Sequence, residues 1–401
     1  MRGLDKLKAL SRVVNKSEGA GSMAFGIGTL SCKRVTTGSI NLDIALGGGV
    51  PLGRIVLLSG EESSGKTTLA YRMAGHAQEL CGNCHRPVDF DVVERKDEDG
   101  VFYAQEGHCD CYKKGLFNPV QHPDEKKSEF AARLKEYEKN SYEPFRVALI
   151  DVEGSIDRSW AEMLGFDHRL MVYSRPPSAE QAIDVHDALL RTGAVDMIIT
   201  DSIAALTPRD EIEESVTKWQ QGLQARLVNK FMRKTVSSQN DVLRAYGKPV
   251  TCVMINQLRE KIGVMFGDNR TEPGGRGQKF SASIHLRMWA SQFDKNEVNL
   301  PGKEKMGYST HARFSFKVEK NKTAPPKRTG SFMMAFDTGE IEEIDFIYKL
   351  AEQMGEISKD GNKWVLGVKE FPTQKAIKKC LSTPGDPLSA KIREKIIKEY
   401  S

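Results

Sequence analysis

The stretch Gly60-Glu61-Glu62-Ser63-Ser64-Gly65-Lys66-Thr67-Thr68 follows the short apolar run Arg54-Ile-Val-Leu-Leu-Ser59 and opens a helical pattern that continues to Gln78. Its first eight residues fit the spacing G-x4-G-K-[ST], which has a mechanical reason. The glycines let backbone N–H groups turn inward around phosphate oxygens. A helix beginning near Lys66 aims the positive end of its dipole at the same point. Lys66 can then reach the β- and γ-phosphates of a nucleotide, and the Thr67 hydroxyl can hold Mg²⁺. A chance glycine-rich turn has no reason to sit between a strand and a helix, so the context favours a phosphate-binding loop.

Working outward, Val147–Asp151, Ala194–Asp201 and Val250–Asn256 are further short apolar runs, and helical stretches Ala179–Thr192 and Leu223–Ser238 stand between them. This alternation predicts βαβ units around a buried, mainly parallel sheet, hence an α/β fold. The runs end in Ser59, Asp151, Asp201 and Asn256. Ligands in open α/β sheets sit beyond the carboxyl ends of the strands, so four polar endings point to one site. Asp201 is placed to bind Mg²⁺ through water, or alternatively to cap a following helix.

The remaining chain divides around this core. Residues 1–30 carry a short basic amphipathic helix (Leu4, Leu7, Leu10, Val14) and a Gly/Ser linker, 31–330 form the core, and 331–401 read as a small α+β domain. That last domain is expected to hold a helix near Ile341–Met354, a strand near Lys363–Val368 and a basic final helix. The composition, 39% apolar and 28% charged over 401 residues, is ordinary for a soluble protein. No apolar run approaches the ~20 residues of a membrane span, and no secretory signal is evident, which predicts a cytoplasmic protein. A net charge of +5 permits nucleic-acid binding without demanding it.

Residues 81–145 break the α/β pattern. Cys81-Gly-Asn-Cys84 and Cys109-Asp-Cys111 form two knuckles, and four thiolates in pairs can close a tetrahedral shell around structural Zn²⁺. Alternating apolar residues over Val88–Gln105, with a Glu-Asp-Gly turn, suggest the β-hairpin of a zinc ribbon, and a charged helix is expected near Asp124–Lys139. His85 and His108 stand beside the cysteines as substitute ligands; unligated thiols and a redox pair are the competing readings. Cys32, Cys252 and Cys380 are isolated and read as plain buried thiols.

Six motifs stand in order: GEESSGKTT (60–68), IDVEGSID (150–157), DSIAALTP (201–208), INQLR (255–259), IGVMFG (262–267) and KNK (320–322). Together they closely resemble the RecA recombinases, bacterial or phage-encoded. TGSINLDIAL (37–46) resembles the segment before the family's phosphate loop. The resemblance covers about residues 30–80 and 146–345. It implies a RecA-like P-loop ATPase core and an ATP-dependent DNA recombinase. Such a protein forms a helical filament on single-stranded DNA, hydrolyses ATP in response to it, and exchanges strands with homologous double-stranded DNA. The N-terminal helix would dock on the adjacent subunit. Single-strand-binding and mediator proteins become candidate partners.

On matching positions, Glu153 looks like the family's water-activating glutamate and Gln257 like its γ-phosphate sensor. Lys320 and Lys322 look like the lysine pair that reaches the neighbouring subunit's ATP. Asp157 and Trp160 match adenine-contacting positions, although the family commonly has Tyr at the second. Two DNA-facing loops would span about Glu213–Gly222 and Glu260–Lys279. The second carries Lys261, Arg270, Arg276 and Lys279 among glycines that include Gly263, Gly274 and Gly275, suited to backbone phosphates. Ile262 would wedge between bases, and Arg226 and Arg233 match phosphate-contacting positions. Trp219 departs from the common first loop and suits either base stacking or a subunit contact. Other departures are the cysteine insertion, Gly154 where His is frequent, and a basic rather than acidic C-terminus. Two rival readings share the core: a motor ATPase, either a helicase or a RadA-like branch-migration protein, and a non-hydrolysing, ATP-switched DNA scaffold.

Overall fold

The computed structural model describes residues 32–97, 100–109, 126–139, 143–213, 222–260, 270–275, 277–298, 306–361, 363–383 and 385–401. The N-terminal helix expected within 1–30, together with Cys111, Trp219, Lys261, Ile262, Gly263 and Arg276, lies outside them.

Among the described residues, nine strands form one sheet. In chain order they are β1 (Ile55–Gly60), β2 (Val147–Asp151), β3 (Met171–Ser174), β4 (Met197–Asp201), β5 (Thr251–Gln257), β6 (Ile284–Val298), β7 (Met306–Asn321), β8 (Thr329–Ala335) and β9 (Ile341–Glu342). Their spatial order is β9-β8-β7-β6-β1-β5-β4-β2-β3. The pairs from β6 through to β3 are parallel, and β7, β8 and β9 extend the sheet antiparallel. The four apolar runs read from sequence are thus the adjacent strands β1, β5, β4 and β2.

β1 shows why these runs are continuous rather than alternating. Val56 and Leu58 enter one core, with Leu42 and Leu46 of α1 (Ile40–Leu46) and Leu69 and Met73 of α2 (Lys66–Gln78). Ile55 and Leu57 enter a second core, with Ile183 and Leu190 of α3 (Ala179–Thr192) and Val228 and Phe231 of α4 (Leu223–Tyr246). Successive side chains of a strand point to opposite faces, so a strand covered by helices on both faces must be apolar throughout. Among the described residues, no helix is long and apolar enough to cross a membrane.

The insertion leaves the sheet between α2 and β2. Strands Asp89–Asp97 and Gly100–His108 pair as the antiparallel hairpin anticipated from the alternation, and helix Lys127–Lys139 follows. A bridge between Cys81 and Pro144 closes its base.

One expectation needs correction. The division at 330/331 falls inside β8, which pairs with β7 along Lys317–His311. The core sheet therefore runs to Glu342, and helix Ile344–Gln353 opens the C-terminal unit. That unit holds a three-stranded antiparallel sheet (Ile357–Asp360, Lys363–Leu366, Lys369–Phe371) and helices Gln374–Ser382 and Pro387–Tyr400. Its core is joined by Ile40 and Ile44 from α1.

Glu343 fastens this joint. Its carboxylate accepts hydrogen bonds from Ser39 Oγ (2.6 Å) and Ile40 N (2.7 Å). Burial, with the Asp43 charge adding to it, pushes this carboxyl up to about 7. A folded-state value above the unfolded one favours the folded state most at pH below the ordinary carboxylate range. That contribution disappears as pH rises through about 7. Glu343→Gln should therefore flatten the fall in melting temperature across this window. Calorimetry on the two proteins checks this, and an equally steep fall in the variant would contradict it.

Candidate functional site

The carboxyl ends of β1, β5, β4 and β2 converge, with Gly60 opposite Gln257 and Asp151 opposite Asp201. Gly65 caps α2 at φ +79, and a Cβ there would lie 2.7 Å from the Phe314 ring, so both conformation and space demand glycine. Ser64 Oγ donates to the Glu61 carbonyl at 2.7 Å. Lys66 is buried and its ammonium donates to the same carbonyl and to Ser64 Oγ at 3.1 Å. Burial lowers its pKa; the carboxylates of Asp201, Glu153, Glu62 and Glu61 oppose that loss of charge.

Thr67 Oγ1 donates to Asp201 Oδ2 at 2.7 Å. Burial pushes the Asp201 carboxyl up to about 6 against that hydrogen bond, with Glu153 and Asp151 adding to the rise. The capping alternative for Asp201 falls away, because Ser202 is the N-cap of the following turn Ile203–Ala205. A buried carboxylate beside a hydroxyl and an ammonium, at a glycine-turned helix N-terminus, fits a magnesium-bound triphosphate. The cation would relieve the crowding of negative charge on Asp201, Glu153 and Asp151.

Glu153 stands just beyond β2. Its Oε1 accepts from Gln257 Nε2 at 2.8 Å and from the Ser202 hydroxyl. The turn that presents it is held by Asp151, whose carboxylate accepts from Gly154 N (2.6 Å), Ser155 N (3.2 Å) and Tyr173 OH (3.0 Å). Ser202, Asp151 and Tyr173 were not singled out as site residues from sequence. Of the three, Asp151 alone is marked in the sequence, as a polar strand end. Asp157 caps helix Arg158–Met163 by accepting from Trp160 N at 2.8 Å, and Trp160 packs part-buried on the first core. Lys320 Nζ donates to the carbonyls of Lys279 (2.6 Å) and Phe280 (2.9 Å) in α5 (Gly277–Ser281). Lys322 follows directly after β7, and its N–H donates to Ser283 O at 3.0 Å.

Arg226, Lys230 and Arg233 lie on one face of α4. With Asn229, Gly277, Phe280 and Ser281 they line a cavity of about 670 Å³. Gly274, at φ +89, lets the chain return against α4: a Cβ there would stand 2.8 Å from Val228 Cγ1. Gly275 also takes a positive φ, of +75. Arg270 turns toward the phosphate loop, its Nη1 donating to Glu61 Oε1 at 2.9 Å. Three cations on a concave face suit a polyanion. Arg226→Gln should reduce the slope of log K against log salt for an oligonucleotide by about 0.7, whatever its sequence. Fluorescence anisotropy across a salt series measures this, and an unchanged slope would remove Arg226 from the contact set.

Of the two knuckles, Cys81, Cys84 and Cys109 come together, their sulfurs within 4.8 Å of one another. The Cys84–Cys109 separation is 3.5 Å, and no disulfide joins the described cysteines. Burial pushes the Cys81 thiol up, but hydrogen bonds from the backbone at Cys84, Glu143 and Asn83 and from Cys109 outweigh it. The thiol therefore sits below its ordinary value. The turn closes through Cys81 N to Arg86 O (2.9 Å) and His85 N to Cys81 O (2.7 Å). His85 packs edge-on against Phe145, and burial, with the charges of Lys33 and Lys248, pushes its imidazole down to about 4. Cys252 is buried as expected, whereas Cys32 and Cys380 are only partly so.

Residues 6–93 and 134–341 match the RecA N-terminal domain family, and the unmatched stretch between them falls within the insertion. Protein RecA of Cytophaga hutchinsonii is 32% identical over 407 residues, covering 98% of this chain and 91% of that protein. Protein RecA of Rubrobacter xylanophilus is 35% identical over 373 residues, with 91% and 85% covered. Protein RecA of Clostridium novyi is 34% identical over 341 residues, with 84% and 75% covered. A shared family model over most of the core, relatives aligned along most of the chain, and a phosphate loop facing a carboxylate at the strand ends lead to one assignment: this chain belongs to the RecA family.

Proposed function

We propose that the protein is an ATP-dependent recombinase that polymerises on single-stranded DNA and exchanges strands with a homologous duplex. The observation that carries this reading is the Gln257–Glu153 hydrogen bond of 2.8 Å. It joins the carboxylate suited to activating water to the end of β5, from which the chain runs on toward the second DNA-facing loop. A change at the nucleotide is therefore felt where DNA binds.

Bound Mg·ATP supplies the scissile phosphoanhydride and the metal's charge. Lys66 and the loop amides of Gly60–Thr68 hold the phosphates, and Thr67 and Asp201 hold the metal. Glu153 orients the attacking water and accepts its proton. Asp157 and Trp160 border the base. Lys320 and Lys322 act in trans on the adjacent protomer's nucleotide, as the arginine finger does elsewhere. Arg226, Arg233, Arg270, Gly274 and Gly275 face DNA, with Trp219, Lys261, Ile262, Gly263 and Arg276 from the segments outside the described residues. The N-terminal helix packs on the neighbouring subunit. Cys81, Cys84, Cys109 and Cys111 close a structural Zn²⁺ shell. The protein works in the cytoplasm, where single-strand-binding and mediator proteins are its candidate partners.

A strand-exchange assay with ATP, beside negative-stain imaging on single-stranded DNA, tests this. ATP-dependent filaments and exchanged strands are expected. A protein that bound nucleotide yet stayed monomeric and indifferent to oligonucleotides at low salt would overturn the reading.

A further inference from the structure

Both stems of the second DNA-facing loop touch the nucleotide site, at different residues. The stems pair with each other as short antiparallel strands, Arg259 opposite Thr271 and Glu260 opposite Arg270. The first stem follows Gln257, which binds Glu153. The second stem ends in Glu272, which reaches β1 immediately before the phosphate loop. There His285 Nε2, from β6, lies 2.9 Å from Ser59 Oγ and 3.1 Å from Glu272 Oε1. Ser59, His285 and Glu272 thus form a triangle gathered on that imidazole nitrogen. The side chains of Glu272 and His285 are only 5% and 6% exposed, so the triangle is shielded from solvent. Lys279 Nζ stands 3.4 Å from the other Glu272 oxygen, at the outer reach of an ion pair. Two residues before Glu272, Arg270 reaches Glu61 inside the phosphate loop at 2.9 Å.

We propose that Glu272 and His285 are positioning residues that couple the phosphate loop to the DNA-facing segment by a second route, separate from Gln257. The buried triangle is a fixed pivot. It holds Arg270 where its guanidinium can pair either with Glu61 or with a polynucleotide phosphate. The exposed Arg270–Glu61 pair is weak by itself, because solvent screens it, and so it is easily exchanged. A triphosphate beside Glu61 adds negative charge to the loop and alters that exchange. A neutral or detached Glu272 leaves Arg270 unplaced, and the two sites lose part of their communication. This inference rests on the recombinase reading and adds to it a device made of this chain's own Ser59, His285 and Glu272.

The test measures how much a non-hydrolysed ATP analogue tightens binding to a labelled oligo-dT, in the full-length wild type and in variants. Glu272→Gln keeps the side chain's shape but removes its charge. It should leave analogue affinity without DNA within about twofold while cutting the analogue-induced gain in DNA affinity about tenfold. His285→Leu should do the same. His285→Gln, whose amide can still meet both Ser59 and Glu272, should restore most of the gain, which a merely space-filling role would not require. Should Glu272→Gln fail to fold, the His285 pair decides. Coupling equal to wild type in folded Glu272→Gln and His285→Leu would overturn the proposal alone. Absence of coupling in the wild type would overturn the recombinase reading with it.

Discussion

ATP turnover on DNA should fall by a factor of about 10²–10⁴ when Glu153 is replaced by Gln, the usual contribution of a positioned general base. That corresponds to roughly 3–5 kcal/mol of barrier. The amide keeps an oxygen that can accept from Gln257 and Ser202, the two donors to Glu153 Oε1, so the turn and the sensor contact should survive. What disappears is the acceptor for the proton of the attacking water. Nucleotide affinity should accordingly change little, since Lys66, Thr67 and Asp201 are untouched, and filaments should outlive those of the wild type. Phosphate release on oligo-dT, with analogue binding measured alongside, separates the two effects. Near-normal turnover would mean that another group orients the water. Filament disassembly at the normal rate without turnover would favour the ATP-switched scaffold instead.

The second large effect concerns the cysteine cluster. Structural zinc in small modules is worth on the order of 10–16 kcal/mol of folding free energy. The hairpin Asp89–Asp97/Gly100–His108 is a two-stranded element, which is marginal in water without a further support. Chelation, or the pair Cys81→Ser and Cys84→Ser, should therefore release one zinc per chain and melt the insertion. Amide exchange across 89–108 should rise toward that of an unfolded chain. ATP affinity should hold, because the knuckle sits beyond the C-terminal end of α2, whereas Lys66 and Thr67 occupy its N-terminal turn. Metal analysis showing purified protein without stoichiometric zinc would sink the metal assignment. Loss of nucleotide affinity on chelation would instead show that the insertion supports the ATPase core directly.

Local chemistry made much of this protein legible in the amino-acid sequence. A phosphate loop is a matter of glycines and one lysine at fixed short spacing, so Gly60–Thr67 reads as one without any tertiary information. The four adjacent strands β1, β5, β4 and β2 are readable because burial on both faces leaves them apolar along most of their length, with polar residues gathered toward their carboxyl ends. The hairpin of the insertion showed through its period of two. What depended on tertiary structure is every contact between residues distant in the chain. Glu153 and Gln257 are 104 positions apart, Glu61 and Arg270 209, and Ser59 and His285 226. No spacing rule links such pairs, since their meeting depends on the order and register of parallel strands. The same cause moved β8 and β9 into the core sheet, where pairing with β7 outweighed the change in local composition near Gly330. It also brought Asp201 to Thr67, with Ser202 rather than Asp201 as the N-cap of the next turn. Sequence alone thus determined the elements and the phosphate loop, because both follow from steric and solvation preferences over a few residues. The folded chain decided which stems and carboxylates meet at that loop, because only packing brings remote backbone segments to hydrogen-bonding distance.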